Sequence, residues 1–419
     1  MSKKFDIIIW GATGYTGALI AEYLARQSKE GGSAAGIKWA LAGRNRAKMQ
    51  DLKDKLLEIE PNLAKVVAIV VADDNTAEVL TPIAASARLV IACVGPYTLY
   101  GTPMVAACVK AGVDYVDVTG EGLWHRSVID QFHREAEQKG VIVIPSCGFD
   151  SIPSDLGVLF TAHQLKEKYN APCTAMTGYF DVRGGASGGT MASVLLIAEQ
   201  PLSNLAKMAS PFLLNDPAAT PPRVRWGERD QQLPSYDSAL RRWTTKWIMA
   251  MYNTRIVRRS VSLLQAGKQT PDVDYFDKDF VYHETMFSPN LIAASVLAFG
   301  LLFFSVLMLF APVRWVLRKF LYTPGQGPPK ETRAKNWFRT TFRAVTATQQ
   351  SVVTSFAGGD GYEATAQMAV ETALGILEDK AAILKRRQGR GGVLTAASTV
   401  GLRLVDRLRA AGLKIQLES

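Results

Sequence analysis

Apolar positions follow two rhythms along the first 155 residues. Consecutive apolar runs occur in DIIIWG (6–11), IKWALAGR (37–44), KVVAIVVADD (65–74), ARLVIACVGPY (87–97), GVDYVDVTGE (112–121) and GVIVIPSCGFDSIPSD (140–155). Such runs suit strands buried on both faces of a parallel sheet. Between them the spacing turns helical, beginning with ALIAEYLARQ (18–27). This alternation predicts a doubly wound α/β domain over 1–155. Ligands of such sheets sit beyond the carboxyl ends of the strands. The loops Gly95–Tyr100, Thr119–Glu121 and Gly148–Asp155 are therefore expected to converge there.

Further on, AMTGYFDVRGGASGGTMASVLLIAEQ (175–200) reads as strand, glycine-rich turn and helix. FRTTFRAVTAT (338–348) and SVVTSFAGGDGYEATAQMAVETALGIL (351–377) read as strand, turn at Gly358-Gly359-Asp360-Gly361, strand and helix. TAASTVGLRLVDRLRAAG (395–412) reads as one amphipathic helix ending at Gly412.

One stretch breaks both rhythms. No charge occurs from Thr285 to Val313, and Leu291–Ala311 is apolar enough to suggest a span. A helix of about 20 residues crosses the ~30 Å core of a bilayer. A crossing would, however, separate the later strands from their sheet partners. An internal helix, a lid over an apolar tunnel and an interfacial anchor remain. The anchor is the expectation carried forward, because Phe303, Phe304 and Phe310 crowd the run. RWVLRKFLYTP (314–324) then sets Trp315, Phe320 and Tyr322 among Arg314, Arg318 and Lys319, an interfacial composition.

Charge sharpens this picture. The 419-residue chain carries a net charge of +10. Nine Lys/Arg face three acids over Pro221–Val261, and eight face one over Pro312–Arg343. These stretches flank the apolar run and suit anionic headgroups. No nucleic-acid-binding pattern accompanies them. The four cysteines form no C-x-x-C pair and the four histidines fit no metal spacing, so neither a disulfide framework nor a metal centre is expected. The first strand is expected to begin by Phe5, so a secretory signal is not expected.

The candidate chemistry begins at GATGYTG (11–17). Gly11, Gly14 and Gly17 stand between a strand and a helix, the context of a dinucleotide loop. Thr13, Tyr15 and Thr16 are candidate contacts around it. The second strand ends in Gly43-Arg44 with no acid to hold a ribose hydroxyl. A guanidinium there suits a 2′-phosphate, so NADP(H) is expected over NAD(H). Asp74 is placed near the adenine, and Val94, Gly95 and Pro96 beside the nicotinamide. Tyr97 and Tyr100 are candidate proton or hydrogen-bond donors, with Asp150 as a relay or substrate contact and Asp155 as a helix cap. Cys147 lacks a base partner by sequence and is expected to be buried and inert.

GATGYTG, GPYTLYG, AGVDYVDVTGE, CGFDSIPSD and GGVLTAAS together resemble the saccharopine dehydrogenase-like oxidoreductases. The resemblance covers most of the chain. It is nearest to the branch of mammalian lipid-droplet-associated members and bacterial trans-acting enoyl reductases of complex-lipid synthesis. It implies a Rossmann NAD(P)-binding domain (1–155), and an inserted mixed α/β substrate domain (156–390) containing the hydrophobic, membrane-seeking segment 285–313. It also implies a carboxyl-terminal helix (391–419) packing back on the first domain. The cofactor loop would be Gly11–Gly17, with Gly95 and Pro96 at the nicotinamide; no catalytic residue carries over. The expected activity is NADPH-dependent reduction of an enoyl or carbonyl group in a lipidic small molecule. Its place would be the cytoplasmic face of a membrane or lipid droplet, met through 285–322. A saccharopine-type amino-acid dehydrogenase and a non-catalytic lipid-surface scaffold remain as alternatives. A homodimer is compatible with either, and no nucleic-acid partner is expected.

Overall fold

A computed structural model describes residues 3–149, 151–216, 230–266, 274–320 and 325–418. The described strands are β1 (Phe5–Trp10), β2 (Trp39–Gly43), β3 (Val67–Val71), β4 (Ala87–Ala92), β5 (Asp114–Asp117), β6 (Ile142–Ile144) and β7 (Cys173–Arg183). They continue as β8 (Ser235–Asp237), β9 (Arg242–Thr245), β10 (Phe276–Ser288), β11 (Trp337–Val345), β12 (Ser351–Gly358), β13 (Gly392–Val393) and β14 (Lys414–Leu417).

The first sheet runs β13-β6-β5-β4-β1-β2-β3, and its neighbours pair in parallel. It is the doubly wound sheet that the apolar runs predict. The order reverses between β1 and β4, so a crevice opens beyond their carboxyl ends. The second sheet, β14-β12-β11-β7-β10-β9-β8, is mixed: β7 and β10 are parallel and the remaining pairs antiparallel. Phe338, Thr340, Phe342 and Ala344 alternate inward along β11, while Trp337 and Arg339 face out. Helix Ser151–Tyr169 packs against that inner face, and a Cβ on Gly157 would stand 2.2 Å from the Phe342 ring. That close approach explains a glycine inside a helix.

The carboxyl-terminal part departs from the expected division. Helix Gly361–Arg386 belongs with the first domain: Tyr23 of helix Tyr15–Gln27 donates to Glu371 Oε1 at 2.9 Å. Past residue 390, β13 lengthens the first sheet. The predicted helix over 395–412 breaks at Gly401, whose φ is +62°, into Ala396–Thr399 and Leu402–Ala410. The chain then returns to the second sheet as β14 beside β12.

The apolar run folds as two helices rather than one continuous span. Helix Leu291–Leu307 is 17 residues long and the helix from Ala311 leaves it at 104°. Pro312 stands in the second helix's first turn, where a missing N–H is harmless, whereas continuation of the first helix would need that donor. At 1.5 Å per residue the first helix reaches about 25 Å, short of the ~30 Å core. Among the described residues no single helix is long and apolar enough to cross a membrane. Within Leu291–Leu307 only Ala294 and Ala298 are buried, while Ile292, Val296 and Phe303 are 75%, 69% and 66% exposed.

The first basic stretch divides over its described part: Arg241 and Arg242 are exposed and Lys246 is half-buried, but the remaining arginines are not at the surface. Arg255, Arg258 and Arg259 lie buried on helix Ala250–Ala266. Arg255 binds Asp230 at 2.7 Å and the Ala209 and Ser210 carbonyls. Arg259 donates to the Leu214 and Val393 carbonyls, with burial pulling it down to about 9. Tyr322 lies outside the described residues.

Candidate functional site

The loop after β1 is shaped by positions that exclude side chains. Gly11 has φ +83°, and a Cβ there would meet Val94 Cγ2 at 2.5 Å. A Cβ on Gly17 would stand 2.3 Å from the Gly11 carbonyl oxygen. Gly14 is the N-cap of helix Tyr15–Gln27, and neither a side-chain cap nor a first-turn acid occupies that end. The first amides of the helix are thus left for an anion. Thr13 and Thr16 are half-buried at the loop. This cradle fits a dinucleotide pyrophosphate.

Tyr15 turns to a different task. Its hydroxyl donates to the Pro328 carbonyl at 2.7 Å and accepts from Arg333 Nη1 at 3.3 Å. Its ring meets Tyr362 edge-on at 5.1 Å, so it ties the segment around Gly327–Arg333 to the loop. Arg44 is exposed directly after β2, and no described acid forms a salt bridge with it. Asp74 is exposed after β3 and accepts from the Asn75 amide at 2.6 Å.

Val94, Gly95 and Pro96 follow β4, with a cis Gly95–Pro96 bond, and lead into the helical turn Tyr97–Tyr100. Glu121, 2% exposed, holds this turn. Its Oε1 accepts from the Tyr97 amide at 2.8 Å; Oε2 accepts from the Thr98 amide at 2.8 Å and the Thr98 hydroxyl at 2.5 Å. Ser193 of helix Gly188–Ala198 donates to Oε1 at 2.7 Å. The sequence reading assigned neither Glu121 nor Ser193 a role.

The candidate donors separate. Tyr97 is buried against Trp124, its hydroxyl donating to the Ala92 carbonyl at 2.9 Å and accepting from the Val118 amide at 3.3 Å. Burial holds that phenol well above its ordinary value, and both of its hydrogen bonds go to backbone beside the loop, so the side chain supports the loop. Tyr100 is half exposed on the same turn, its carbonyl bound by Asn75. Asp150 lies outside the described residues. Asp155 sits within helix Ser151–Tyr169, where it accepts from Ser260 and from the Ala397 amide at 2.9 Å. It thus caps helix Ala396–Thr399 rather than its own.

Beneath the crevice, buried polar groups join the two domains. Asp117, at the end of β5, accepts from the Thr119 and Ser146 amides at 2.9 Å each, and burial raises its carboxyl to about 7. The Ser146 hydroxyl bonds Tyr252, which meets His125 Nδ1 at 3.0 Å. Asn253 donates to Glu284 at 3.1 Å, and burial raises Glu284 to about 8. Cys147 is fully buried and its thiol lies well above the ordinary value for the same reason, leaving no thiolate for attack.

Comparison with known proteins places this geometry. Residues 7–144 match the saccharopine dehydrogenase NADP-binding domain family. A Mycobacterium tuberculosis protein provisionally named a trans-acting enoyl reductase is 34% identical over 435 residues, spanning 99% of this chain and 97% of its own. The trans-acting enoyl reductase of Mycobacterium ulcerans is 32% identical over 440 residues, at 99% and 97% coverage. Among solved structures, apo saccharopine dehydrogenase (L-Glu forming) of Saccharomyces cerevisiae aligns over 99% of this chain and 100% of its own. Its TM-score is 0.48 and its identity 12%.

Proposed function

Because the chain belongs to the saccharopine dehydrogenase-like oxidoreductases, in the trans-acting enoyl reductase branch, and uses NADP(H), we propose that it reduces the enoyl group of a lipidic acyl substrate. The reaction takes place at the cytoplasmic face of a membrane or lipid droplet. NADPH supplies the hydride. The Gly11–Gly17 loop holds the pyrophosphate, Arg44 binds the 2′-phosphate through charge-assisted bonds, and Gly95 and Pro96 border the nicotinamide. Glu121 fixes that border. Tyr100, half exposed beside it, hydrogen-bonds the developing enolate oxygen or returns a proton to carbon.

The observation that carries the lipid reading is the apolar pair of helices, whose large side chains face outward. Contiguous apolar surface of this kind usually marks an interaction site. Lys319 Nζ lies 3.6 Å from the centre of the Trp315 ring, a basic–aromatic pair suited to an interface.

Full-length protein incubated with NADPH and a long-chain α,β-unsaturated acyl thioester tests the chemistry. Loss of NADPH absorbance with a saturated acyl product by mass spectrometry is expected. Activity on saccharopine, with no acyl reduction at any chain length, would replace this reading with the amino-acid dehydrogenase. Flotation with anionic liposomes tests the surface: Ile292, Phe299 and Phe303, all replaced by Ser, should abolish flotation and preserve NADPH binding. Undiminished flotation removes the anchor from the proposal.

A further inference from the structure

Glu121 reaches across a domain boundary. Its two oxygens receive two backbone amides and a hydroxyl from the Tyr97–Thr98 turn, plus the hydroxyl of Ser193 from the substrate domain. Bonds of this kind to a buried carboxylate are charge-assisted and stronger than neutral ones.

The helix carrying Ser193 is tethered at both ends. At its start the Ser187 amide donates to the Tyr362 hydroxyl at 2.6 Å and the Gly188 amide donates to the Gln326 carbonyl at 3.0 Å. Tyr362 in turn meets Tyr15 of the phosphate loop. Just past its end, Glu199 pairs with Arg318 at 2.6 Å and Arg314 at 3.5 Å, both on the second helix of the apolar pair. The sides of the helix are apolar and half-buried at Met191, Val194, Leu196 and Ile197. One short helix therefore runs from the nicotinamide turn to the outward-facing apolar helices.

We infer that Glu121 is a positioning residue that couples cofactor binding to the placement of helix Gly188–Ala198, with Ser193 as the coupling contact. NADPH seated against Gly95 and Pro96 orders the Tyr97–Thr98 turn. The ordered turn fixes the Glu121 carboxylate, and the carboxylate fixes Ser193 and the apolar wall beside it. Glutamine is a poor replacement despite its shape. Four donors converge on Glu121, and an amide nitrogen would set N–H against N–H at one of them.

The inference rests on the NADPH site of the proposed function but not on its acyl substrate. Hydrogen exchange of the full chain, with and without NADPH, tests it in wild type, Ser193→Ala and Ser193→Thr. In wild type NADPH should slow exchange in both 95–101 and 188–198. Ser193→Ala should keep the slowing over 95–101 and lose about tenfold of it over 188–198, the scale of one hydrogen bond to a charged group. Ser193→Thr, which retains the hydroxyl, should restore it. A merely structural contact would speed exchange equally in both states. NADPH-dependent slowing over 188–198 that is unchanged in Ser193→Ala overturns the inference, as does its absence from wild type. No acyl substrate enters the measurement, so failure of the enoyl assignment shows only in the turnover assay.

Discussion

Gly17→Ala tests whether the cofactor loop works by close approach of backbone. The added Cβ would stand 2.3 Å from the Gly11 oxygen and 3.0 Å from the Ala12 Cα. A carbon–oxygen contact needs about 3.3 Å, so loop and helix must part by roughly 1 Å. Both obstructing atoms are backbone, and no rotamer relieves them. Overpacking costs about 1–3 kcal/mol, and alanine's better helix propensity offsets about 1 kcal/mol of it. The fold should therefore lose no more than about 2 kcal/mol. Cofactor binding should suffer more, because a shift of ~1 Å can cost on the order of a hundredfold. Isothermal titration with NADPH should show a Kd about 100-fold higher, equivalent to about 2.8 kcal/mol. Thermal unfolding gives an independent reading. NADPH at about 100 times the wild-type Kd stabilises wild type by about 2.7 kcal/mol, and the variant by only about 0.4 kcal/mol. Gly300→Ala is the control, since a Cβ there meets nothing within 4 Å. NADPH affinity within about twofold of wild type in folded Gly17→Ala would refute the reasoning.

Three further outcomes follow from single contacts. Arg44→Asp should weaken NADPH by about 10–100-fold, the worth of charge-assisted bonds to one phosphate, while NADH affinity holds or improves; equal losses for both cofactors in titration would remove Arg44 from the phosphate. Tyr97→Phe should cost about 1–3 kcal/mol in urea unfolding, because the Val118 amide loses its acceptor, yet leave the pH profile of kcat unchanged. A displaced or abolished alkaline limb would make Tyr97 the proton donor after all. Burial raises Glu284 to about 8, so the folded chain keeps a proton that the unfolded chain sheds above its ordinary range. The stability from this group is full below about pH 4 and is lost as pH rises through about 8, at no more than about 1.4 kcal/mol per pH unit. Glu284→Gln removes that slope, so its stability relative to wild type should climb from about pH 5 to 8; a flat difference in urea unfolding sinks the assignment.

Much of the first domain was legible because a buried parallel strand writes itself as consecutive apolar residues, and the phosphate loop as three spaced glycines. β13 was not, since the two residues Gly392–Val393 are too short to show a period. The second sheet was partly hidden for another reason. β10 reads FDKDFVYHETMFS, with charges at its exposed start and Glu284 buried near its end, so its outline is neither apolar nor alternating. In the site, sequence singled out the glycine loops proposed to meet the cofactor and missed the carboxylate that holds the Tyr97–Thr98 turn. Glu121 bonds residues 24 positions before it and 72 after it, and its four side-chain partners are two backbone amides and two hydroxyls that form no motif. The setting of Tyr97 was not legible, because adjacency to Gly95–Pro96 places its Cα but not its ring, which turns under the loop against Trp124.

The apolar run shows why charge and hydropathy must be weighed with topology. Sequence places basic stretches on both sides of it, as if both met one lipid surface. The fold divides the first of them: Arg255, Arg258 and Arg259 hold carbonyls inside the protein and Arg241 and Arg242 stay exposed at β9, while Arg314 and Arg318 stand at the apolar pair and bond Glu199. The pair itself gains little from the protein. Between Leu291 and Leu307 only the small side chains of Ala294 and Ala298 are buried, Leu297, Leu301 and Leu307 are half-buried, and Thr245 donates to the Ala294 carbonyl at 3.0 Å. Phenylalanine and leucine exposed to water forgo about 1.5–3 kcal/mol each relative to burial. A core helix would have turned Phe303 inward and left its alanines outside; here the pattern is reversed. The 104° bend then lays Trp315 and Lys319 across the end of a helix too short to span. Buried alanines, outward aromatic residues and basic residues at the bend are the features on which the proposed lipid-facing surface rests.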